Sequence, residues 1–546
     1  MINTNNGDPT VPDLDDSSGQ LTDSCSELDD KARRGFDALG TVISSDRSPS
    51  FFRIDFRVNP DRATGPGKMV AIEGETVDGQ GCFVIARVNN VHEHNPHEDA
   101  HSSTLRNVLP FESRYASEGA STVIYRVAES EPLEEAVLDE DGDVVEIRSV
   151  ETLTRAGALV REAPTDLVIR ALGLEANPES GLHVGAAYGA PAVPIVLNKG
   201  VIQRHIFIGG GIGSGKSYTR GVLGEELNSF GIPQVNIDVN GEMVDAAQEL
   251  GGISLVPGKD GGFTIPVSAL SPSDVVEAVP SINPGTNMET LLSFTHETLL
   301  AEVRRGDRPY FTVDDLVQHI DMCANVLDMA RKNTLEPTKL RTQSLNRLTF
   351  LGTPFNWMSH LTPGAFINLD CRTLSLRELR LITASVARDL QSLARHRRIP
   401  FVVLSIDEFH LVAPNTDETV TTHVLREIAR IGRHYRLGLI LTTQSPSDVD
   451  RAILKRLLTR FLHAIEPDQL QALRGVFSDA SEELVRTLPK LPQGVCILTG
   501  AFETVRHAVP VHVRARVTTH GGRTPDIWSD LEAQGWTHKR PTIQEG

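Results

Sequence analysis

The spacing of apolar residues divides the chain into two regimes. From about Phe51 to Arg170 the apolar residues come in short runs. Lys68–Ile72 and Cys82–Val88 flank Asp78-Gly79, and Ala136–Leu138 and Val144–Ile147 flank Asp141-Gly142. Asp-Gly between apolar runs marks a hairpin, because both residues tolerate the positive φ of a tight turn. Thr122–Val127 is a further strand candidate, and the region is expected to form a small β-barrel or sandwich. From Gly181 onward, strands alternate with helices. Phe401–Ile406 and Leu437–Thr443 are near-continuous apolar runs, as central parallel strands covered on both faces require. His205–Ile208, Gln234–Asp238 and Phe366–Asp370 join them, with Phe461–Ile465, Gly494–Leu498 and Val505–Val517 later. Leu379, Ile382, Val386, Leu390 and Leu393 recur at steps of three and four and form one helical stripe. Residues 268–357 look helical and less patterned, which reads as an insertion into an α/β sheet.

Composition narrows the class. The 546 residues allow two or three domains. No apolar run approaches the roughly 18 residues of a membrane span, and no signal pattern opens the chain. The expectation is a cytoplasmic protein. Five scattered cysteines form no C-x-x-C pair, so neither a disulfide framework nor a zinc ribbon is indicated. The net charge of −19 argues against broad adhesion to nucleic acid, though not against a local basic channel. Excess Asp and Glu with Arg in place of Lys suits a salt-rich cytoplasm; genomic bias produces the same pattern. Residues 1–50 read as a disordered acidic tail: eight acids, Asp8 to Asp30, precede the first basic residue, Lys31. The expected domains are then a barrel at 51–175, a core at 176–525 and a tail at 526–546. His92, His94, His97 and His101 cluster with acids, and both a metal site and a polar loop account for them.

The strongest chemical signal is Gly210-Gly211-Ile212-Gly213-Ser214-Gly215-Lys216-Ser217, which follows an apolar strand and opens a helix. This is the spacing of a phosphate-binding loop. The glycines let backbone N–H groups turn toward phosphate oxygens, and the helix presents its positive end to the same anion. Gly211, Gly213, Ser214, Gly215, Lys216, Ser217 and Tyr218 are the candidate nucleotide contacts. Lys216 would reach the β- and γ-phosphates, and the Ser217 hydroxyl would ligate Mg²⁺. The strand Phe401–Ile406 ends in Asp407-Glu408. Asp407 would hold Mg²⁺, directly or through water, and Glu408 would deprotonate the attacking water. Gln444 ends the next strand, where it could sense the γ-phosphate; a surface amide is the plain alternative. Arg426, Arg430 and Arg433 share one helical face, available to a neighbouring subunit's nucleotide or simply solvated.

With these residues in view, the chain resembles the HerA family of hexameric DNA-translocating ATPases, in the HerA/FtsK branch of RecA-like motors. The resemblance rests on Arg204–Ile208 leading into the phosphate loop, Asp238-x-x-Gly241-Glu242, Asp407-Glu408-Phe409-His410, and Ala429–Arg433 followed by Thr442–Ser447. Val513–Arg516 with His520-Gly521-Gly522 resembles the family's closing segment. It implies a RecA-like P-loop core with a helical insertion, preceded by a small N-terminal β-barrel. It also implies a homo-hexamer with ATP between subunits, Mg²⁺, and double-stranded DNA in the pore. Lys216, Asp407, Glu408 and Gln444 match the family's catalytic set, Arg433 its trans arginine finger, and Arg204 a second interface arginine. A NurA-type nuclease is the implied partner in DNA end resection, with phage-defence effectors as the other kind. Against the pattern, Gly209–Ile212 replaces the commoner G-x-T start, Asn240 a His, and Phe409 a small residue. The expected function is an ATP-hydrolysing DNA translocase; the alternative is a nucleotide-gated ring scaffold for an effector.

Overall fold

The computed structural model describes residues 38–45, 48–94, 125–258, 260, 262–329, 332–473, 480–500, 505–521 and 527–535. His97, His101, Gly522, Cys25 and most of the expected tails lie outside these. The described chain forms two units, divided between Ala171 and Leu172.

The first unit is a closed barrel. Its strands are β1 (Gly40–Val42), β2 (Ile54–Val58), β3 (Met69–Glu75), β4 (Gly81–His94), β5 (Tyr125–Leu138), β6 (Val144–Arg148) and β7 (Leu159–Glu162). They run in the order β2-β1-β7-β3-β4-β5-β6, and β2 also pairs with β5. That pairing, Ile54 opposite Ser130, closes six strands and leaves β6 outside as an added strand. Both Asp-Gly hairpins form, as β3–β4 and β5–β6. Register shifts at Ile85/Ala86 and Val88/Asn90 bend the long β4–β5 ribbon, as closure requires. Phe56, Ile72, Val84 and Val160 fill the interior. β1 begins inside the segment expected to be a disordered tail: three residues are too few to show a period, and their neighbours β2 and β7 hold them in place. His92 and His94 end β4 on its exposed side, with His92 3.3 Å from Glu129. Helix α1 (Thr165–Leu172) follows β7.

The second unit is a 12-stranded sheet. Its strands are β8 (Leu182–Ala187), β9 (Ala190–Leu197), β10 (Ile206–Gly209), β11 (Gln234–Asp238), β12 (Ile253–Pro257), β13 (Gly262–Phe263), β14 (Phe366–Asp370), β15 (Val402–Ile406), β16 (Leu437–Thr443), β17 (Thr459–Leu462), β18 (Val495–Thr499) and β19 (Val509–Val513). The order is β13-β12-β14-β11-β15-β16-β10-β17-β18-β19-β8-β9. From β12 to β17 every pairing is parallel, and β11, β14, β15 and β16 are buried along their whole length. Beyond β17 the sheet turns antiparallel through β18, β19, β8 and β9. The alternation expected from Gly181 therefore starts with an antiparallel hairpin, and the run 505–517 yields only the strand 509–513.

Helices α2 (Lys216–Ser229) and α3 (Val244–Glu249) follow β10 and β11. The insertion holds α4 (Pro272–Ala278), α5 (Asn287–Arg305), α6 (Val313–Val326) and α7 (Lys332–Gln343). Ser271 and Thr312 start α4 and α6 with reciprocal capping boxes. In α8 (Leu376–Arg395), Leu379, Ile382, Val386 and Leu390 of the expected stripe are buried. Helix α9 (Val420–Ile431) starts after Thr419, whose side chain accepts the Thr422 N–H and caps it. Among the described residues, no helix is long and apolar enough to cross a membrane.

Candidate nucleotide-binding site

The parallel strands end at one rim of the sheet, where an α/β sheet binds ligands. The phosphate loop leaves β10, the acids Asp407-Glu408 leave β15, and Gln444 leaves β16 between them. Asp238 ends β11, next to β15. Residues far apart in sequence, Lys216, Asp407 and Gln444, are thus brought to one edge by strand order.

Gly213 and Gly215 adopt φ of 71° and 117°, which favours glycine. A Cβ on Gly215 would also press on His463 and Gly494. Lys216 is buried, and its Nζ donates to the Gly211 carbonyl at 2.8 Å. Burial holds its pKa below the usual lysine value, although Glu408, Asp407 and Glu242 pull the other way. Ser214 Oγ donates to the same carbonyl at 2.8 Å. Ser217 is half-buried on the first turn of α2.

Asp407 is buried, and its Oδ2 accepts from Asn240 Nδ2 at 3.2 Å. Burial pushes its carboxyl up to about 6, opposed by Arg220 and reinforced by Glu408, Glu242 and Asp238. Asp238 is occupied otherwise: it accepts the N–H groups of Gly241, Glu242 and Met243, which shape the turn after β11. Glu408 has φ 44° and ψ 48°, a left-handed conformation that side chains other than glycine adopt at a cost. Its Oε2 accepts the Gln444 N–H at 3.1 Å and lies 3.3 Å from His410 Nδ1. Burial raises its pKa, but the bonds from His410 and Gln444 outweigh that and leave it lowered. His410 Nδ1 in turn sits 3.0 Å from Thr443 Oγ1.

Two of the site's residues had no place in the sequence reading. His463, at the end of β17, is buried against Gly210 and Gly215, and its Nε2 is 2.8 Å from Thr219 Oγ1. Burial, then the Lys216 charge, pushes its pKa down to about 4, so it buttresses the loop as a neutral ring. A lone histidine after a strand gives no sequence signal. Arg220 does give one: it lies four residues after Lys216, on the same helical face, with NH1 3.3 Å from Asp407 Oδ2.

The other named residues divide. Tyr218 turns to segment 514–521: its hydroxyl accepts the Arg516 N–H at 2.7 Å, and its ring meets His520 edge-on. Glu225 of α2 anchors that segment, accepting the N–H groups of Val517 and Thr518 and bonding Arg514. Arg426 is held internally by Asp450 and Glu418 at 2.6 and 2.7 Å, whereas Arg430 is exposed. Arg433 lies in the short turn Gly432–Tyr435, and its side chain falls outside what is described. Arg204 is half-buried and ends the turn before β10.

The donors suit a hard divalent cation held with phosphate. Glu242 Oε2 is buried with no hydrogen-bond partner, and Ser217 and Asp407 add oxygens. Among the described residues no three His, Cys, Asp or Glu groups form a cage for a metal alone, and Mg²⁺ does not need one when phosphates complete its shell.

The family model of the central domain of helicase HerA matches residues 182–390. The DNA double-strand break repair helicase HerA of Sulfurisphaera tokodaii is 22% identical over 339 residues, 59% of this chain and 67% of that protein. That of Saccharolobus solfataricus is 22% identical over 341 residues, with the same shares. In fold, VirB4 of Thermoanaerobacter pseudethanolicus superposes with a TM-score of 0.50 at 17% identity, covering 62% of this chain and 98% of that one. The matched segment runs from β8 into α8, including the phosphate loop and the Asp238 turn. Over that central domain the chain is similar to the HerA family.

Proposed function

We propose that this chain is an ATP-hydrolysing motor that moves along double-stranded DNA as a homo-hexameric ring, working with a NurA-type nuclease or another effector. The observation that carries it is the meeting of the phosphate loop, Asp407-Glu408 and Gln444 at one sheet edge, in a chain whose HerA relatives are named repair helicases. Lys216 would leave the Gly211 carbonyl for the β- and γ-phosphates, with Gly211, Gly213, Ser214, Gly215, Ser217 and the Tyr218 backbone lining the loop. Mg²⁺, when bound with ATP by Ser217 and Asp407, would neutralise phosphate charge. Glu408 would take the proton of the attacking water, and its bond to the Gln444 N–H makes β16 the element that feels that step. Arg433 and Arg204 are the proposed contributions to the neighbouring subunit's nucleotide.

The test is ATP hydrolysis with and without duplex DNA. Stimulation by duplex, lost in Lys216→Ala and Glu408→Gln, is the expected result. A rate indifferent to DNA of any form removes the translocase reading. An effector complex that works equally well with Glu408→Gln would favour a nucleotide-gated scaffold instead.

A further inference from the structure

Arg220 and Lys216 lie on successive turns of α2, and the charge of Asp407 acts on both. The Arg220 side chain is 1% exposed, with NH1 3.3 Å from Asp407 Oδ2 and NH2 3.8 Å from Asp238 Oδ1. Neither approach has hydrogen-bond geometry, and Nε, Nη1 and Nη2 all lack an acceptor among the described residues. A buried guanidinium ordinarily settles into a bidentate carboxylate pair. Here Asp238 already accepts three backbone N–H groups, and Asp407 already accepts from Asn240. Arg220 therefore supplies charge at this spot rather than hydrogen bonds.

We propose that Arg220 is a resident counter-ion for Asp407 that keeps a free divalent cation out of the acidic cluster, so that metal enters only as its nucleotide complex. The inference rests on the nucleotide-binding reading above. A bare divalent cation approaching Asp407 meets a positive charge 3.3 Å from the same oxygen, and repulsion offsets attraction. A metal–nucleotide complex is net negative, and Lys216 and Arg220 attract it. Because no nitrogen of Arg220 is committed to an acceptor, the guanidinium turns toward the incoming complex without breaking a hydrogen bond.

Mn²⁺ alone, titrated into the full chain without nucleotide and read by electron paramagnetic resonance, tests this. Arg220→Met is expected to bind Mn²⁺ about tenfold tighter than wild type or better, since it removes the adjacent like charge. Arg220→Lys should stay at the wild-type value, and adding Asp407→Asn to Arg220→Met should erase the gain. Arg220→Met that melts cooperatively yet binds no tighter than wild type overturns the proposal. Asp407→Asn by itself should leave the wild-type affinity for Mn²⁺ alone unchanged; a large loss would also overturn it, whether or not Arg220→Met folds. If Mn²⁺ with ATP fails to bind while these metal-only results hold, it is the nucleotide reading that falls.

Discussion

The carboxylate of Glu408 accepts the backbone N–H of Gln444 at 3.1 Å, joining the ends of β15 and β16. The proposed base and the proposed sensor are therefore coupled through main chain, not through the Gln444 amide. Glu408→Gln keeps a carbonyl oxygen for that bond and removes only the basic group. Hydrolysis should drop by about 10²–10⁴-fold with nucleotide affinity retained. Phosphate release beside equilibrium binding of a fluorescent ATP analogue separates the two; loss of both together would mean that Glu408 is chiefly structural.

His463 should make the phosphate loop sensitive to acid. Its folded pKa of about 4 lies below the ordinary value of 6.5, so the unfolded chain binds the extra proton first. The stability it contributes is complete above pH 6.5 and is lost as the pH falls toward 4. The limit set by that shift is roughly 3 kcal/mol. His205 shifts the same way to about 4, whereas Asp407 and Asp389, both raised to about 6, act in the opposite sense. The cleaner measurement is a difference: the melting-temperature gap between wild type and His463→Gln should narrow from pH 7 to pH 4.5. A constant gap would exclude the buried neutral imidazole.

Glu225 holds segment 514–521 on the phosphate-loop helix, accepting from Val517 N, Thr518 N and Thr518 Oγ1 at 3.0, 2.9 and 2.7 Å. Burial raises its pKa, and these bonds, with Arg514, more than reverse the shift. Its contribution is therefore present above its unfolded pKa near 4.5 and is lost in acid below that. Glu225→Ala leaves several buried donors unmet and should cost about 3 kcal/mol. Limited trypsin digestion should then cut at Arg514 and Arg516, which are mostly buried in the intact protein.

Arg426 and Arg430 share a helix face and should behave differently. Arg426 bridges Asp450, which is nearly buried, and Glu418, which is exposed. Arg426→Ala should lower stability by about 1 kcal/mol, a value kept small by solvent screening of the Glu418 arm. Arg430→Ala should leave the melting temperature within error. A pronounced loss of stability in Arg430→Ala, or none in Arg426→Ala, would reverse the assignment.

Local spacing sufficed for what is local. The phosphate loop, the acid pair and the Asp-Gly hairpins are each written within one short continuous stretch, and the parallel strands are near-continuous apolar runs because both their faces are buried. β11, β14 and β16 accordingly fall on the expected residues. Tertiary structure decided whatever depends on pairing between distant segments, which a period of two or 3.6 residues cannot encode. It closed β2 onto β5, making a barrel where a sandwich fitted the pattern equally well. It set the β8–β9 hairpin against β19, and it brought His463 under a loop 250 positions earlier. Arg220 was legible as the residue one turn beyond Lys216, yet its meaning came only when the order of β11 and β15 set Asp238 and Asp407 beside it.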